Sequence, residues 1–435
     1  MAEKGPAVID ELVQALLADF RREDEISLAL PALVGKLGPR GAEALAESLA
    51  RLSAELRTTI LDALEGVARE VGKPLVAPLV RRARPENAKG IGQVLGAILR
   101  GGADAEEREE LGLRALVAAL RSEPERAEAL QEVLDAAVAA LDQDDQRGLL
   151  SHSAPEVQAA AVLHGRQVKE QTLRALARQT DVCVRVAMLR NAMLWRDQKD
   201  VIEPFFQDPS PAVRIEACLR AGYTFDGEAE RLKEDSNRAV ALVARSVLED
   251  EGMLDRIDGA LASGKSELRL AACRAAGALE EKDALKVFGA LQLDGDPAEL
   301  RAFLGEFSPE ERGSLEQLIR FAKSDPPAEV LSELLLVLSS NDDVGGGLDL
   351  PCQLLDRSLP PRVRRLGFEA LVSESEGRAR RIEPFLVPDE PQVADFLWAL
   401  YFSTSSAEDE EKALYRRLRG SPSELLAAFA EEQSG

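Results

Sequence analysis

The chain contains the stretch IEPFFQDPSPAV at Ile202–Val213 and a second version of it, IEPFLVPDEPQV, at Ile382–Val393. Both versions open with Ile-Glu-Pro-Phe, place an aspartate a few residues on, and then reach a proline and a valine. Aspartate accepts the unbonded N–H groups at a helix start, and proline fits the first helical turn. The stretch therefore predicts a turn that opens a helix, and its recurrence predicts that the chain builds this turn repeatedly.

The turn recurs with a nearly fixed period. If the apolar residue after each turn is taken as an anchor, successive anchors from residue 157 onward lie 27 to 33 residues apart. These anchors are Val157, Val184, Val213, Val240, Leu268, Leu300, Val330, Val363 and Val393. Fainter anchors precede them at Ile26, Leu56, Ala88 and Ala127. A fixed period of roughly 20–50 residues is typical of solenoids and related arrays.

Each repeat carries a helical pattern. The fourth residue after the anchor is apolar or glycine in twelve of the thirteen units, and Gln131 is the exception. Residues four apart share a helix face. A second helical stretch follows in most units, as in KEQTLRALAR (Lys169–Arg178) and KDALKVFGAL (Lys282–Leu291). Since a two-helix unit buries its apolar face only against its neighbours, we predict an all-α fold, an α-solenoid of about 13 repeats, with the second helices lining a concave face.

Length and composition agree with a repeat array. The 435 residues exceed what one hydrophobic core usually serves, about 250–300 residues. Aromatic residues are only 4% of the chain, which favours closely packed helices over β-sandwiches. We predict divergent helical repeats in 1–150, clear repeats in 151–402 and C-terminal capping helices in 403–435. The Gly- and Asp-rich stretches at 100–110 and 340–351 are expected to be loops.

The stretch DPSPAVRIEACLRAG (Asp208–Gly222) resembles a HEAT repeat, in the short form of about 30 residues found in phycobilisome-lyase-type repeats. The residues that match the family pattern are Asp208, Pro211, Val213, Arg214 and Ala217. The resemblance covers roughly residues 150–400 well and 24–150 weakly. It implies a stack of helical hairpins and says little about function.

An arginine follows the anchor in several units. In HEAT proteins such an arginine usually pairs with an aspartate of the same or a neighbouring turn, which makes a ladder of ion pairs. Applied here, the resemblance implies the pairs Asp181/Arg185 and Asp208/Arg214, with a structural role and with binding as the alternative. The residues assigned to this ladder are Asp181, Arg185, Asp208, Arg214, Arg269 and Arg364.

Charge is unevenly distributed along the chain. The formal net charge of −23 argues against nucleic acid as a partner. Residues 72–100 nevertheless carry six basic groups and one acid, so we predict that this segment contacts an acidic protein. The candidate protein-binding residues are Arg81, Arg82, Arg84 and Lys89, with Arg362, Arg365, Trp398 and Tyr401 near the C-terminus. The alternatives are solvated helix faces for the charges, and a core of the last repeat for Trp398 and Tyr401.

Signatures of catalysis, cofactors and metals are not found in the sequence. The two histidines, His152 and His164, have no spacing suited to a metal site, and no phosphate-binding glycine motif occurs. Cys218 and Cys273 each fall five positions after an anchor, which predicts buried packing residues. The cysteines form no CxxC motif and no apolar run reaches ~18 residues, so we expect a reducing, cytoplasmic setting without a membrane span.

These observations favour a non-catalytic scaffold or adaptor that binds other proteins through an extended surface. No small-molecule substrate is expected. The alternative is a lyase or chaperone subunit resembling the bilin lyases, which rests on the repeat resemblance. DNA-lesion binding, as in HEAT-like glycosylases, is disfavoured by the acidic charge. High usage of Ala, Leu and Arg favours a bacterial source.

Overall fold

A computed structural model describes residues 61, 65, 68–84, 88–102, 105–166, 168–191, 194, 198–339, 349–356, 358–360, 363, 364, 366 and 367. Secondary structure in this part is helical, and no strand occurs among these residues. The chain divides into two compact units, Met1–His164 with Glu374–Gly435, and Gly165–Ser373.

The described helices of the first unit run from residue 68 to residue 164. They are α1 (Ala68–Arg82), α2 (Ala88–Arg100), α3 (Ala105–Arg108), α4 (Arg114–Ser122), α5 (Ala127–Ala139), α6 (Gln143–Leu149) and α7 (Pro155–His164). A π-helical turn, Glu109–Leu113, joins α3 to α4. The loop predicted for 100–110 is therefore wrong over its second half, because residues 105–110 are helical.

Among the described helices of the first unit, α2 and α5 pack closely against each other. A Cβ atom on Gly92 would lie 2.5 Å from the Cβ of Ala136 and 2.7 Å from the carbonyl oxygen of Val133. One turn later, a Cβ on Gly96 would lie 2.5 Å from the Cβ of Ala140. The two glycines thus allow the helix backbones to approach more closely than larger residues would.

The second unit repeats a pair of helices along the chain. The first helices of the pairs are α9 (Val182–Arg190), α11 (Pro211–Ala221), α13 (Arg238–Val247), α15 (Ser266–Gly277), α17 (Pro297–Leu304) and α19 (Ala328–Ser339). The second helices are α8 (Glu170–Ala177), α10 (Lys199–Ile202), α12 (Asp226–Leu232), α14 (Met253–Leu261), α16 (Glu281–Asp294), α18 (Arg312–Lys323) and α20 (Asp349–Cys352).

Helix starts in this unit follow from local chemistry. Pro211 and Pro297 occupy the first positions of α11 and α17, where a missing N–H costs nothing. Asn237 accepts hydrogen bonds from the N–H groups of Ala239 and Val240. Asp296 and Glu299 form a reciprocal capping box at the start of α17. These contacts explain why a new helix begins just before the anchors Val213, Val240 and Leu300.

The anchors behave as predicted wherever the clear repeats are described, with one exception. Val157, Val184, Val213, Val240, Leu300, Val330 and Val363 are buried, and so is the residue four positions after each of them. Leu268 is only half-buried, although Ala272 is buried. The faint anchor Ala127 is wrong, because α5 buries Ala129, Leu130 and Val133 and leaves Ala127 half-buried. The anchors Ile26, Leu56 and Val393 lie outside the described residues.

Each first helix of the second unit packs on the next one, from α9 through α11, α13, α15 and α17 to α19. Packing in sequence order is consistent with an α-solenoid. Between the two layers lies an aromatic core around α16, α17 and α18. The ring of Phe288 stacks on Phe303 with centroids 5.2 Å apart and meets Phe321 edge-on at 5.2 Å.

Candidate functional site

The arginine ladder exists in the second unit, but its register differs from the prediction. Arg185 on α9 donates to both carboxylate oxygens of Asp208 from Nε (2.7 Å) and Nη2 (3.0 Å). Arg214 on α11 pairs in the same way with Asp235, at 2.8 and 2.9 Å. The predicted pairs Asp181/Arg185 and Asp208/Arg214 are wrong, because each arginine reaches the turn one repeat further along.

The same aspartates also shape the turns. Asp208 accepts the backbone N–H of Ser210 at 2.8 Å, and Asp235 accepts that of Asn237 at 2.8 Å. Each carboxylate therefore holds its own turn and the arginine of the preceding repeat. Arg214 in addition donates to the carbonyl oxygen of Asp208 at 2.6 Å, which places successive rungs in contact.

The ladder continues with glutamates as the acids. Arg269 on α15 donates from Nη2 to Glu299 at 2.8 Å, and Arg301 on α17 lies 3.6 Å from Glu333 on α19. On α13 the corresponding position is Ala241, so no rung starts from that helix. The predicted ladder residue Arg364 is buried. The ladder joins neighbouring repeats.

A second group of charges was not predicted from the sequence. Glu216 and Arg220 on α11, Arg274 on α15, and Glu306 just after α17 form a closed set of ion pairs, called here the charge ring. Arg190, the last residue of α9, adds a contact of 3.2 Å to Glu216. The ring joins parts of the chain 58 and 86 residues apart.

Glu216 is the most buried charge of the ring, with a side-chain exposure of 1%. Burial alone would raise the pKa of Glu216, but Arg274, Arg190 and Arg220 outweigh it and hold the pKa at about 2. The carboxylate is therefore ionised at neutral pH. The sequence signal covers only part of this group: Glu216 and Arg220 lie four residues apart on α11, whereas Arg274 and Glu306 lie far along the chain.

The charge ring shows that the first helices of the second unit converge at their C-terminal ends. Arg220 and Glu306 meet at 3.0 Å, although α13 and α15 come between their helices in the chain. In a straight stack, three helix spacings would separate α11 from α17 by roughly 27 Å. The C-terminal ends of the first helices therefore converge, whereas the concave face expected for the second helices stays a prediction.

The predicted basic segment lies at the junction of α1 and α2 in the first unit. Arg81, Arg84 and Lys89 are exposed, and we call these three residues the basic surface. Arg82 is half-buried, so it belongs to the packing of α1 more than to this surface. Arg100, at the other end of α2, pairs with Glu65 at 3.2 Å.

The backbone that carries the basic surface is firmly held. Arg126 donates from Nη2 to the carbonyl oxygens of Val80 (2.6 Å) and Ala83 (2.9 Å), which closes the end of α1. The N–H of Ala88 donates to the carbonyl oxygen of Arg84 at 2.9 Å, which brings the start of α2 against the end of α1. Among the described residues, neither Arg81 nor Lys89 forms an ion pair.

The remaining candidate residues divide into two groups. Arg362, Arg365, Trp398 and Tyr401 lie outside the described residues. Asp181 lies at the start of α9, where it accepts a hydrogen bond from Thr180 and takes no part in the ladder.

Two of the four cysteines, Cys218 and Cys273, are buried. Burial, aided by nearby carboxylates, raises the pKa of each thiol to about 12. His152 accepts the N–H of Ala154, and burial lowers the pKa of His164. Within the described ranges, no group of three or more His, Cys, Asp or Glu side chains is arranged to hold a metal ion, and no helix could span a membrane.

Comparison with known proteins gives no basis for assigning a family or a function. No protein-family model matches the chain, and no curated protein matches it. Among solved structures, the crystal structure of an engineered protein aligns with 18% identity over 93% of this chain and 97% of its own. The TM-score of that alignment is 0.20, which is too low to support an argument about fold or function.

Proposed function

We propose that the chain is a non-catalytic scaffold or adaptor whose basic surface binds an acidic segment of a partner protein. The observation that carries the proposal is the exposure of Arg81, Arg84 and Lys89 on one firmly held junction, in a chain with a net charge of −23. Positive charge that serves only solubility would not need to be concentrated there, because acids already supply the net charge. The four cysteines, none of them in a disulfide, fit a cytoplasmic setting.

The basic surface suits a protein partner better than a nucleic acid. Binding along a phosphate backbone draws on many cations, and the surface offers three within a strongly acidic molecule. Complementary charge mainly raises the association rate and selects the partner. The stacked helices of the chain would add further contacts of ordinary protein–protein character.

The test is co-purification with the full-length tagged chain from its native cell, compared with Arg81→Glu/Lys89→Glu. Both side chains are exposed, so the double variant should fold normally and lose the bound proteins that carry acidic segments. The matched control is Lys199→Glu/Arg238→Glu, which makes the same change in net charge at two exposed positions elsewhere. An identical set of bound proteins for both variants and the unmodified chain would overturn the proposal, as would tight binding of duplex DNA at low salt.

A further inference from the structure

The charge ring is a closed cycle of two acids and two arginines. Glu216 accepts from Arg220 Nε at 2.9 Å on one oxygen and from Arg274 Nη2 at 2.9 Å on the other. Glu306 accepts through Oε1 from Arg220 Nη2 at 3.0 Å and from Arg274 Nε at 2.9 Å. Each arginine therefore bridges both acids, and the four formal charges sum to zero.

The two acids lie inside the ring and the arginines face solvent. The side chains of Glu216 and Glu306 are 1% and 6% exposed, whereas those of Arg274 and Arg220 are 17% and 30% exposed. A buried carboxylate loses its hydration and needs the arginines in place. Dissolved salt can still reach the arginines and weaken the pairs.

The ring connects helices that are not neighbours in the stack. Contacts between α11 and α13, α13 and α15, and α15 and α17 would hold even in a straight row of helices. The ring instead ties α11 directly to α15 and to the end of α17, and it passes over α13. The ring can form only when the helix ends converge. Its ion pairs therefore depend on the curvature of the unit, whereas the contacts between neighbouring helices do not.

Small residues make that convergence possible. A Cβ on Gly222, just after α11, would lie 2.6 Å from Val247 Cγ1 at the end of α13. A Cβ on Gly277, at the end of α15, would lie 2.4 Å from the carbonyl oxygen of Phe303. Ser246 on α13 is buried and donates to the carbonyl oxygen of Ala275 on α15. The C-terminal ends of four successive first helices, α11, α13, α15 and α17, are therefore in contact, each with the next.

We propose that the charge ring is a conformational control within the second unit. It holds the C-terminal ends of the first helices together, and the unit relaxes to a less curved arrangement when the ring loses a charge or is screened by salt. The spacing of the second helices on the opposite side, such as α12 and α18, then changes with it. This inference does not depend on the proposed acidic partner.

The test measures the distance between two second helices in the full chain. Spin labels are placed by Glu230→Cys on α12 and Arg320→Cys on α18, both exposed, after Cys183→Ser and Cys352→Ser remove the accessible thiols. In Glu216→Gln, the distance distribution from double electron–electron resonance should move to shorter values and broaden, because the outer side of a bend shortens when the bend relaxes. The control Glu228→Gln, which removes an acid from an i,i+3 pair with Arg231 on α12, should leave it unchanged.

A salt titration makes the test independent of whether the variant folds. Raising NaCl from low concentration to about 1 M shortens the screening length to ~3 Å. The labelled chain with an intact ring should shift toward shorter distances, and a folded Glu216→Gln chain should not respond. An unchanged distance in the folded variant, or no salt response with the ring intact, would overturn the inference.

Discussion

Arg185 on α9 binds Asp208, 23 residues further along the chain, through two parallel hydrogen bonds of 2.7 and 3.0 Å. Both side chains are only 7% exposed. Because Asp208 also holds the turn that opens α11, the pair fixes the start of one repeat against the first helix of the repeat before it. Two-point arginine–carboxylate pairs are the strongest of the common ion pairs, so this rung should matter to stability.

Asp208→Asn should destabilise the second unit by roughly 3–5 kcal/mol, because it leaves the buried Arg185 without a counter-charge. The measurement is urea unfolding of the full chain, followed by circular dichroism. Glu228→Gln is the control, since Glu228 pairs with Arg231, which is 69% exposed, and such pairs contribute at most about 1 kcal/mol. Equal effects of the two substitutions would contradict the structural role of the ladder.

Glu216 should make stability depend on acid pH. Its pKa is held at about 2, against an ordinary 4.5, so its contribution is complete above pH 4.5 and is lost as the pH falls toward 2. The shift corresponds to a contribution on the order of 3 kcal/mol. Between pH 5 and pH 2, the difference in urea stability between the unmodified chain and Glu216→Gln should shrink toward zero. A difference that stays constant over this range would rule out an ionised Glu216 as the stabilising group.

Gly96→Ala should destabilise the first unit by roughly 1–3 kcal/mol, although alanine favours helix. The added methyl group would meet the Cβ of Ala140 at 2.5 Å and the carbonyl oxygen of Ala137 at 2.8 Å. The control Gly148→Ala, on α6 of the same unit, has no atom within 4 Å of the new Cβ and should be neutral or stabilising. The measurement is the melting temperature of both variants. A higher melting temperature for Gly96→Ala would mean that α2 and α5 are less closely packed.

The four cysteines should react with thiol reagents in the order of their exposure. At pH 8, Cys183 is exposed and should react first, and the half-buried Cys352 more slowly. Cys218 and Cys273 should stay unmodified until the chain unfolds, because burial raises the pKa of both thiols to about 12. Mass spectrometry after timed maleimide labelling gives the order. Early modification of Cys218 would show that its helix is open to solvent.

The periodic part of the fold could be read from the sequence because it is local. Val213 and Ala217 share a helix face by spacing alone, and both are buried. The partner of Arg185 could not be read in the same way. Asp181 and Asp208 both lie in turns of the right kind, and only the offset between stacked repeats selects Asp208.

The charge ring could not be predicted from the sequence for a related reason. Arg220 and Glu306 are 86 residues apart, and they meet only because the helix ends converge. Convergence depends on small residues at the ends of several helices acting together, such as Gly222 and Gly277. The exposure of Arg81, Arg84 and Lys89, by contrast, agrees with their charge, and their role in binding stays a prediction.

We infer that successive helical repeats of the second unit are stabilised mainly by their neighbours. Hydrogen exchange of the full chain carrying Val184→Ala tests it most directly, because Val184 is fully buried on α9 and its truncation costs roughly 2 kcal/mol. We predict faster amide exchange in α9 and α11, a smaller effect further along, and none in α19. An equal increase throughout the second unit would indicate a single cooperative core and would rule out stabilisation mainly by neighbouring repeats.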